Sequence, residues 1–226
     1  MEQINLFPLF LSFRVALTAT FLTIMIGLPI AYYLSRAKGR FADFLDTVIT
    51  LPIVLPPTVL GYYLLVLLGR QSTIGHFLEE RFNIMIVFTP TGAVIAAMIV
   101  SIPFLIKSAK AAFLNIDSNV VNAARVLGRG ELNIFITIII PLAWRGVVAG
   151  ISLGFARALG DFGTTLMVAG SIPNKTMTMP IAIYDALLAG NRELANILVL
   201  IMTVVSLIVL YTINRLEKHV SKGGSN

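Results

Sequence analysis

The chain has 226 residues, of which 57% are hydrophobic and only 12% charged, with a formal net charge of +6. Soluble domains carry about 45–50% apolar residues and about 25% charged ones. With a mean hydropathy of +0.89, the chain holds more apolar surface than a soluble fold of this length could hide, so lipid must be the solvent for much of it. At roughly 20 apolar residues per span, five or six spans fit and a soluble catalytic domain does not. The basic residues sit in short clusters between apolar runs. That pattern suits positive-inside topology and lacks the cation-and-aromatic stripe of a nucleic-acid track, so no nucleic-acid partner is expected. There is no cysteine, which excludes disulfides and thiolate metal sites. His76 and His219 stand far apart without ligand-spaced companions.

The first predicted span covers about 9–34. No Lys or Arg precedes it, and Ser35-Arg36-Ala37-Lys38-Gly39-Arg40 follows it where a signal peptide would have a small-residue cleavage site. It is therefore expected to be retained, with the N-terminus outside. The second span covers about 44–68 and contains Pro52, Pro56 and Pro57. Each proline removes a donor and strains the preceding turn, and the freed carbonyls need helices or cavity water. A kinked helix is expected there, either lining a path or only shaping the packing. Residues 75–82 allow a short amphipathic helix in the outer loop 70–89. The third span covers about 90–106, with Thr89 as N-cap and Pro90 at the first helical position.

A loop at 113–133 comes next. Asp117 or Ser118 can start a helix, and Gly128 suits a left-handed C′ position. A second short helix over 132–140 is expected to be halted by Pro141, giving two short helices at a glycine-defined corner. The fourth span lies within 142–169. It contains Arg157 and Asp161, which at i,i+4 can meet on one face. Ionisable residues at membrane depth are costly and face a bundle interior or a water-filled cavity, so the pair either borders a path or cancels its own charge. Pro180 and Gly190 bracket a short helix over 180–189 that is too short to span. The fifth span covers about 194–213. The whole reads as a single all-α transmembrane domain.

With the N-terminus outside, the cytoplasmic cations are Arg36, Lys38, Arg40, Lys107, Lys110, Arg125, Arg129, Arg215, Lys218 and Lys222. The outer ones are Arg14, Arg70, Arg81, Lys175 and Arg192. Ten against five favours this orientation in the cytoplasmic membrane, with the C-terminus inside.

The corner segment resembles the cytoplasmic motif of permeases of bacterial ABC importers, which reads Glu-Ala-Ala, three residues, Gly, nine residues, Ile, one residue, Leu-Pro. Here Asn122-Ala123-Ala124, Gly128, Ile138, Ile140 and Pro141 fall at those offsets. Asn122 replaces the Glu, so any ion pair made by that Glu is lost, and Ile140 replaces the Leu. A narrower resemblance, to molybdate permeases, covers nearly the whole chain. It rests on the run from Leu51 to Tyr62, on Ala156-Arg157-Ala158-Leu159-Gly160-Asp161-Phe162-Gly163-Thr164-Thr165, on Ala169–Pro173 and on Thr178–Tyr184.

The resemblance implies a type I importer permease fold with about five spans and a coupling helix. It further implies a homodimer in the bilayer, a cytoplasmic ABC ATPase dimer docked on the corner, and an extracytoplasmic oxyanion-binding protein. ATP would be used by the partner. The chain shows no phosphate-binding Gly-x-x-x-x-Gly-Lys-Ser/Thr loop, and no cofactor or metal is expected on it. Asn122, Ala123, Ala124, Gly128, Ile138 and Pro141 are the expected coupling residues. Arg157, Asp161, Pro56 and Pro57 are the candidate path residues. The nearest alternatives are a tungstate or sulfate permease of the same type. A secondary transporter should show inverted repeats, which are absent here, and a membrane enzyme should show convergent polar groups within the spans.

Overall fold

In the computed structural model, residues 5–222 are described, apart from the side chains of 214 and 216–222. His219 and the tail cations Lys218 and Lys222 therefore lie outside the described side chains. The helices are α1 (Phe7–Arg36), α2 (Arg40–Val54), α3 (Pro57–Leu68), α4 (Thr73–Phe82), α5 (Pro90–Leu114), α6 (Ser118–Val126), α7 (Glu131–Ile134), α8 (Ile140–Leu159), α9 (Gly163–Ala169), α10 (Met179–Leu188) and α11 (Arg192–Lys222). A π-turn, Phe135–Ile139, joins α7 to α8. Among the described residues, four helical stretches are long and apolar enough to cross a membrane: Phe7–Arg36, Pro90–Leu114, Glu131–Leu159 and Arg192–Ile213. The pair α2 and α3, bent by 116°, makes a fifth when taken as one broken span.

The core of the bundle is α5 held between α1 and α8, and small residues make that approach close. Ala16, Ala19 and Ala31 on α1 and Ala93, Ala96, Ala97 and Ala109 on α5 are fully buried. A Cβ on Gly150 would meet Ser108 Cβ at 2.9 Å, and one on Gly146 would meet Ala112 Cβ at 2.4 Å. Such contacts drive helix association where lipid removes the hydrophobic difference between helices. Polar links reinforce them: Ser108 Oγ donates to the Gly146 carbonyl at 2.8 Å, and the Thr23 and Ser101 hydroxyls lie 3.3 Å apart.

Several boundaries depart from expectation for physical reasons. The third span, α5, starts where predicted, with Thr89 accepting from the Gly92 N–H at 3.3 Å, but its helix continues past 106 to Leu114. Lys107 and Lys110 do not stop it because their charges are compensated in place. The second span breaks at Leu55–Pro56, while Pro52 remains inside α2. The fourth breaks at 160–162, after Leu159. Pro141 does not halt a short helix. The helix runs through it from Glu131 to Leu159, because the π-turn before it carries the Ile140 N–H back to the Phe135 carbonyl. That extra residue in the turn relieves the proline's clash with the preceding carbonyl.

Between α3 and α5, Ser72 caps α4 by accepting from the Gly75 N–H at 2.8 Å. Arg70 forms a bidentate pair with Glu79, and that hydrogen bonding holds the Glu79 carboxyl below the usual carboxylate range. The short helix α10 dips in beside other helices, with Met179, Ile181, Ala182 and Ala186 buried.

Candidate coupling elbow and translocation path

Two loci emerge, one at the corner after α6 and one where the two broken helices meet. At the corner, the Asp117 carboxylate caps α6 by accepting from the Asn119 N–H at 2.9 Å. The helix closes with the Gly128 N–H donating to the Arg125 carbonyl at 2.9 Å and the Arg129 N–H to the Ala124 carbonyl at 3.1 Å. These are the paired bonds of a Schellman motif, and Gly128 sits at φ +78°. No atom lies within 4 Å of where its Cβ would be, so the demand for glycine is set by the backbone alone. Val121, fully buried in the cluster that holds Leu105, Ile106 and Phe113, pins α6 to the bundle, a burial worth about 1.5–3 kcal/mol.

Asn122 does not leave the corner without ionic support. Arg125 donates to both Glu131 oxygens, Nε to Oε1 at 2.6 Å and Nη2 to Oε2 at 3.1 Å, and its Nη1 reaches Asn122 Oδ1 at 3.2 Å. Glu131, across the corner, also accepts from the Tyr32 hydroxyl at 3.4 Å. Tyr32 in turn packs against Phe113 and Phe135, whose ring centroids lie 6.1 and 5.1 Å away. The corner is thus tied to α1, α5 and the π-turn through one aromatic group. Its outward side is apolar: Val126 is 87% exposed, Leu127 80% and Leu132 73%. Of the predicted coupling residues, Asn122 and Ala123 are exposed at the corner and Ala124 is buried behind it. Ile138 sits apart in the π-turn, packed on the same cluster as Val121, and Pro141 is one turn further along, in α8.

The second locus joins the path candidates, which are about a hundred residues apart in sequence. The Thr164 hydroxyl donates to the carbonyl of Pro57, the first residue of α3, at 3.2 Å. A Cβ on Gly163 would meet Pro57 Cβ at 3.0 Å, and one on Gly61 would meet Met167 Cβ at 2.6 Å. The break between α2 and α3 therefore packs on the break between α8 and α9. Beside it, Arg157 Nη1 lies 3.2 Å from Asp161 Oδ1. The other oxygen, Oδ2, accepts from the Thr165 N–H at 2.9 Å and the Thr165 hydroxyl at 2.8 Å. Asp161 is thereby satisfied on both sides although its side chain is only 1% exposed, whereas that of Arg157 is 29% exposed. The Phe162 ring packs 5.0 Å from Tyr184 on α10.

Sequence inspection missed Thr165, whose N–H and hydroxyl reach Asp161 Oδ2 only because α9 begins at Gly163. It also passed over Asp46, an acidic residue within the predicted second span.

The architecture is that of solved ABC importer membrane subunits. It superposes on a chain of the inward-facing MetNI methionine ABC transporter with a TM-score of 0.72 at 16% identity, over 97% of this chain and 99% of that one. It matches equally well, at a TM-score of 0.72 and 15% identity, a bacterial ABC transporter that imports the acidic polysaccharide alginate, over 93% and 79% of the two chains. At such identities the likeness concerns the fold. Residues 23–222 match the family described as binding-protein-dependent transport system inner membrane component, and the chain belongs to that family of permease subunits. Curated relatives include YvgM of Bacillus subtilis (strain 168), provisionally named a molybdenum transport system permease protein, at 42% identity over 94% of this chain and 93% of that one. The molybdenum transport system permease protein ModB of Azotobacter vinelandii is 36% identical over 90% of both chains, and ModB of Escherichia coli (strain K12) is 38% identical over 81% and 80%.

Proposed function

We propose that this chain is the permease of an ATP-driven importer that carries molybdate across the cytoplasmic membrane. The observation that carries this reading is the likeness, at 36–42% identity across four-fifths or more of both chains, to permeases named for molybdenum transport. In this reading two copies enclose the path, since one chain offers few helices around a hydrated tetrahedral anion and two-fold dimers are the commonest assemblies. ATP is bound and hydrolysed by a separate cytoplasmic ATPase dimer. The apolar tip at Val126, Leu127 and Leu132 is suited to an apolar groove on that partner, and the Arg125–Glu131 clamp makes the corner stiff enough to transmit a push into α8. An external binding protein delivers the anion. Pro56, Pro57, Arg157 and Asp161 border its path, where paired helix breaks supply polar backbone at membrane depth.

Reconstitution tests the substrate. Proteoliposomes holding the permease, its ATPase and its binding protein should accumulate labelled molybdate in an ATP-dependent way. Uptake of sulfate with no uptake of molybdate would replace the substrate, and uptake without any ATPase would point to a secondary transporter. Orientation has its own test, because the chain is free of cysteine. Cysteines at Asn5 and Ser221 should be labelled by impermeant reagents from opposite sides, with Asn5 outside and a third cysteine at Val126 labelled from the cytoplasm. Labelling of Asn5 and Ser221 from one side would reject the topology.

A further inference from the structure

The broken span carries an ionic cluster separate from the path residues above. Lys107 and Lys110, at i and i+3 on one face of α5, converge on a single carboxylate of α2: Lys107 Nζ lies 2.7 Å from Asp46 Oδ2, and Lys110 Nζ lies 3.3 Å from Asp46 Oδ1. Here two cations share one anion, whereas Arg157 and Asp161 pair one to one. None of the three groups is sealed off. The Lys107, Lys110 and Asp46 side chains keep 39%, 24% and 23% of their surface exposed.

Charged groups of this kind are kept away from hydrocarbon and turn to water or to a polar partner. The helix that supplies Asp46 is also lightly held. Ala42 is its one buried residue, Leu45 and Ile49 add partial packing, and it is uncoupled from α3 by the 116° bend. By position, the cluster lies toward the cytoplasmic end of both helices, six residues into α2 and seven residues before the end of α5.

We propose that Lys107 and Lys110 form an exit subsite for a tetrahedral oxyanion dianion, occupied at rest by the Asp46 carboxylate. The site rests on the import reading above, which sets the direction of travel. Two ammonium groups sharing one carboxylate leave a net charge of +1. That draws a dianion toward the inner mouth, and Asp46 swings out as the anion takes its place. When Asp46 returns, it expels the anion into the cytoplasm, so the resident carboxylate sets a ceiling on how tightly the cargo is held. The arrangement solves the problem of attracting an anion without trapping it.

The test exploits opposite signs. The purified permease–ATPase complex in phosphatidylcholine nanodiscs, without binding protein, is titrated with labelled molybdate, tungstate and sulfate. Lys107→Gln with Lys110→Gln should weaken binding by about tenfold or more, as expected for losing charge-assisted contacts. Asp46→Asn, which removes the competitor, should tighten binding severalfold while slowing release in uptake assays. If the cluster only staples α2 to α5, the lysine and aspartate variants will shift thermal stability in the same direction and leave anion affinity unchanged, which overturns the proposal. An anionic headgroup is the other source of the same chemistry. Absence of free-anion binding in phosphatidylcholine, together with lysine-dependent retention of phosphatidylglycerol, would also overturn it. Because all three oxyanions are titrated, failure of molybdate import alone rejects the substrate and leaves the charge-sign result standing.

Discussion

Gly128→Val should cut ATP-coupled uptake by tenfold or more while the permease still reaches the membrane in normal amount. Gly128 lies at φ +78°, where a side chain costs at least about 1–2 kcal/mol and a β-branched one more. Since no neighbour lies within 4 Å of its Cβ position, the change creates no clash and removes no contact. The cost falls entirely on the corner, which must reopen and carry Val126 and Leu127 away from their present aim. About 1.4 kcal/mol is tenfold in an equilibrium, enough to depopulate the docking-competent corner. Gly39, at φ +111° with equally open surroundings, serves as the control. Gly39→Val carries backbone strain at least as large between α1 and α2, since φ +111° with ψ 171° is a region essentially confined to glycine, and it should leave stimulation of the ATPase intact. Normal ATPase stimulation and normal uptake in Gly128→Val would remove the elbow from coupling.

Asp161→Ala should be the most damaging single change in the membrane interior. It would strand the Thr165 N–H, a buried donor whose lost partner costs about 1–3 kcal/mol, and leave Arg157 without its counter-charge. Loss of folded protein from the membrane is the expected outcome. Arg157→Gln should be milder for folding, because Asp161 keeps both bonds from Thr165. The double change Arg157→Gln with Asp161→Asn restores neutrality, and an Asn oxygen can still accept from Thr165, so abundance should recover. Uptake at matched abundance then isolates Arg157. With 29% of its side chain open it is expected to face the anion's path, and the double variant should assemble with the ATPase yet transport poorly. Full recovery of uptake would confine the pair to charge cancellation.

The sequence alone determined that the chain lives in lipid, because apolar content and cation clusters are one-dimensional quantities. It also determined the caps and corners: Thr89, Asp117, Gly128 and Gly190 act through backbone groups a few residues away, so their roles follow from local spacing. The glycine-defined corner after α6 was legible for the same reason, although Pro141 was misjudged because the π-turn that accommodates it depends on packing around Phe135 and Ile139. What only the tertiary structure decided is which distant residues share a site. Nothing local says that the break at Leu55–Pro56 would pack on the break at 160–162. That contact exists because Gly61 and Gly163 let α3 and α9 approach closely. Likewise Glu131 supplies the carboxylate that Asn122 lacks, since the reversal at Gly128 brings it back over Arg125. Asp46 meets Lys107 and Lys110 across 61 and 64 residues of chain, because charged groups on membrane helices turn to water or to counter-charges wherever the fold places them.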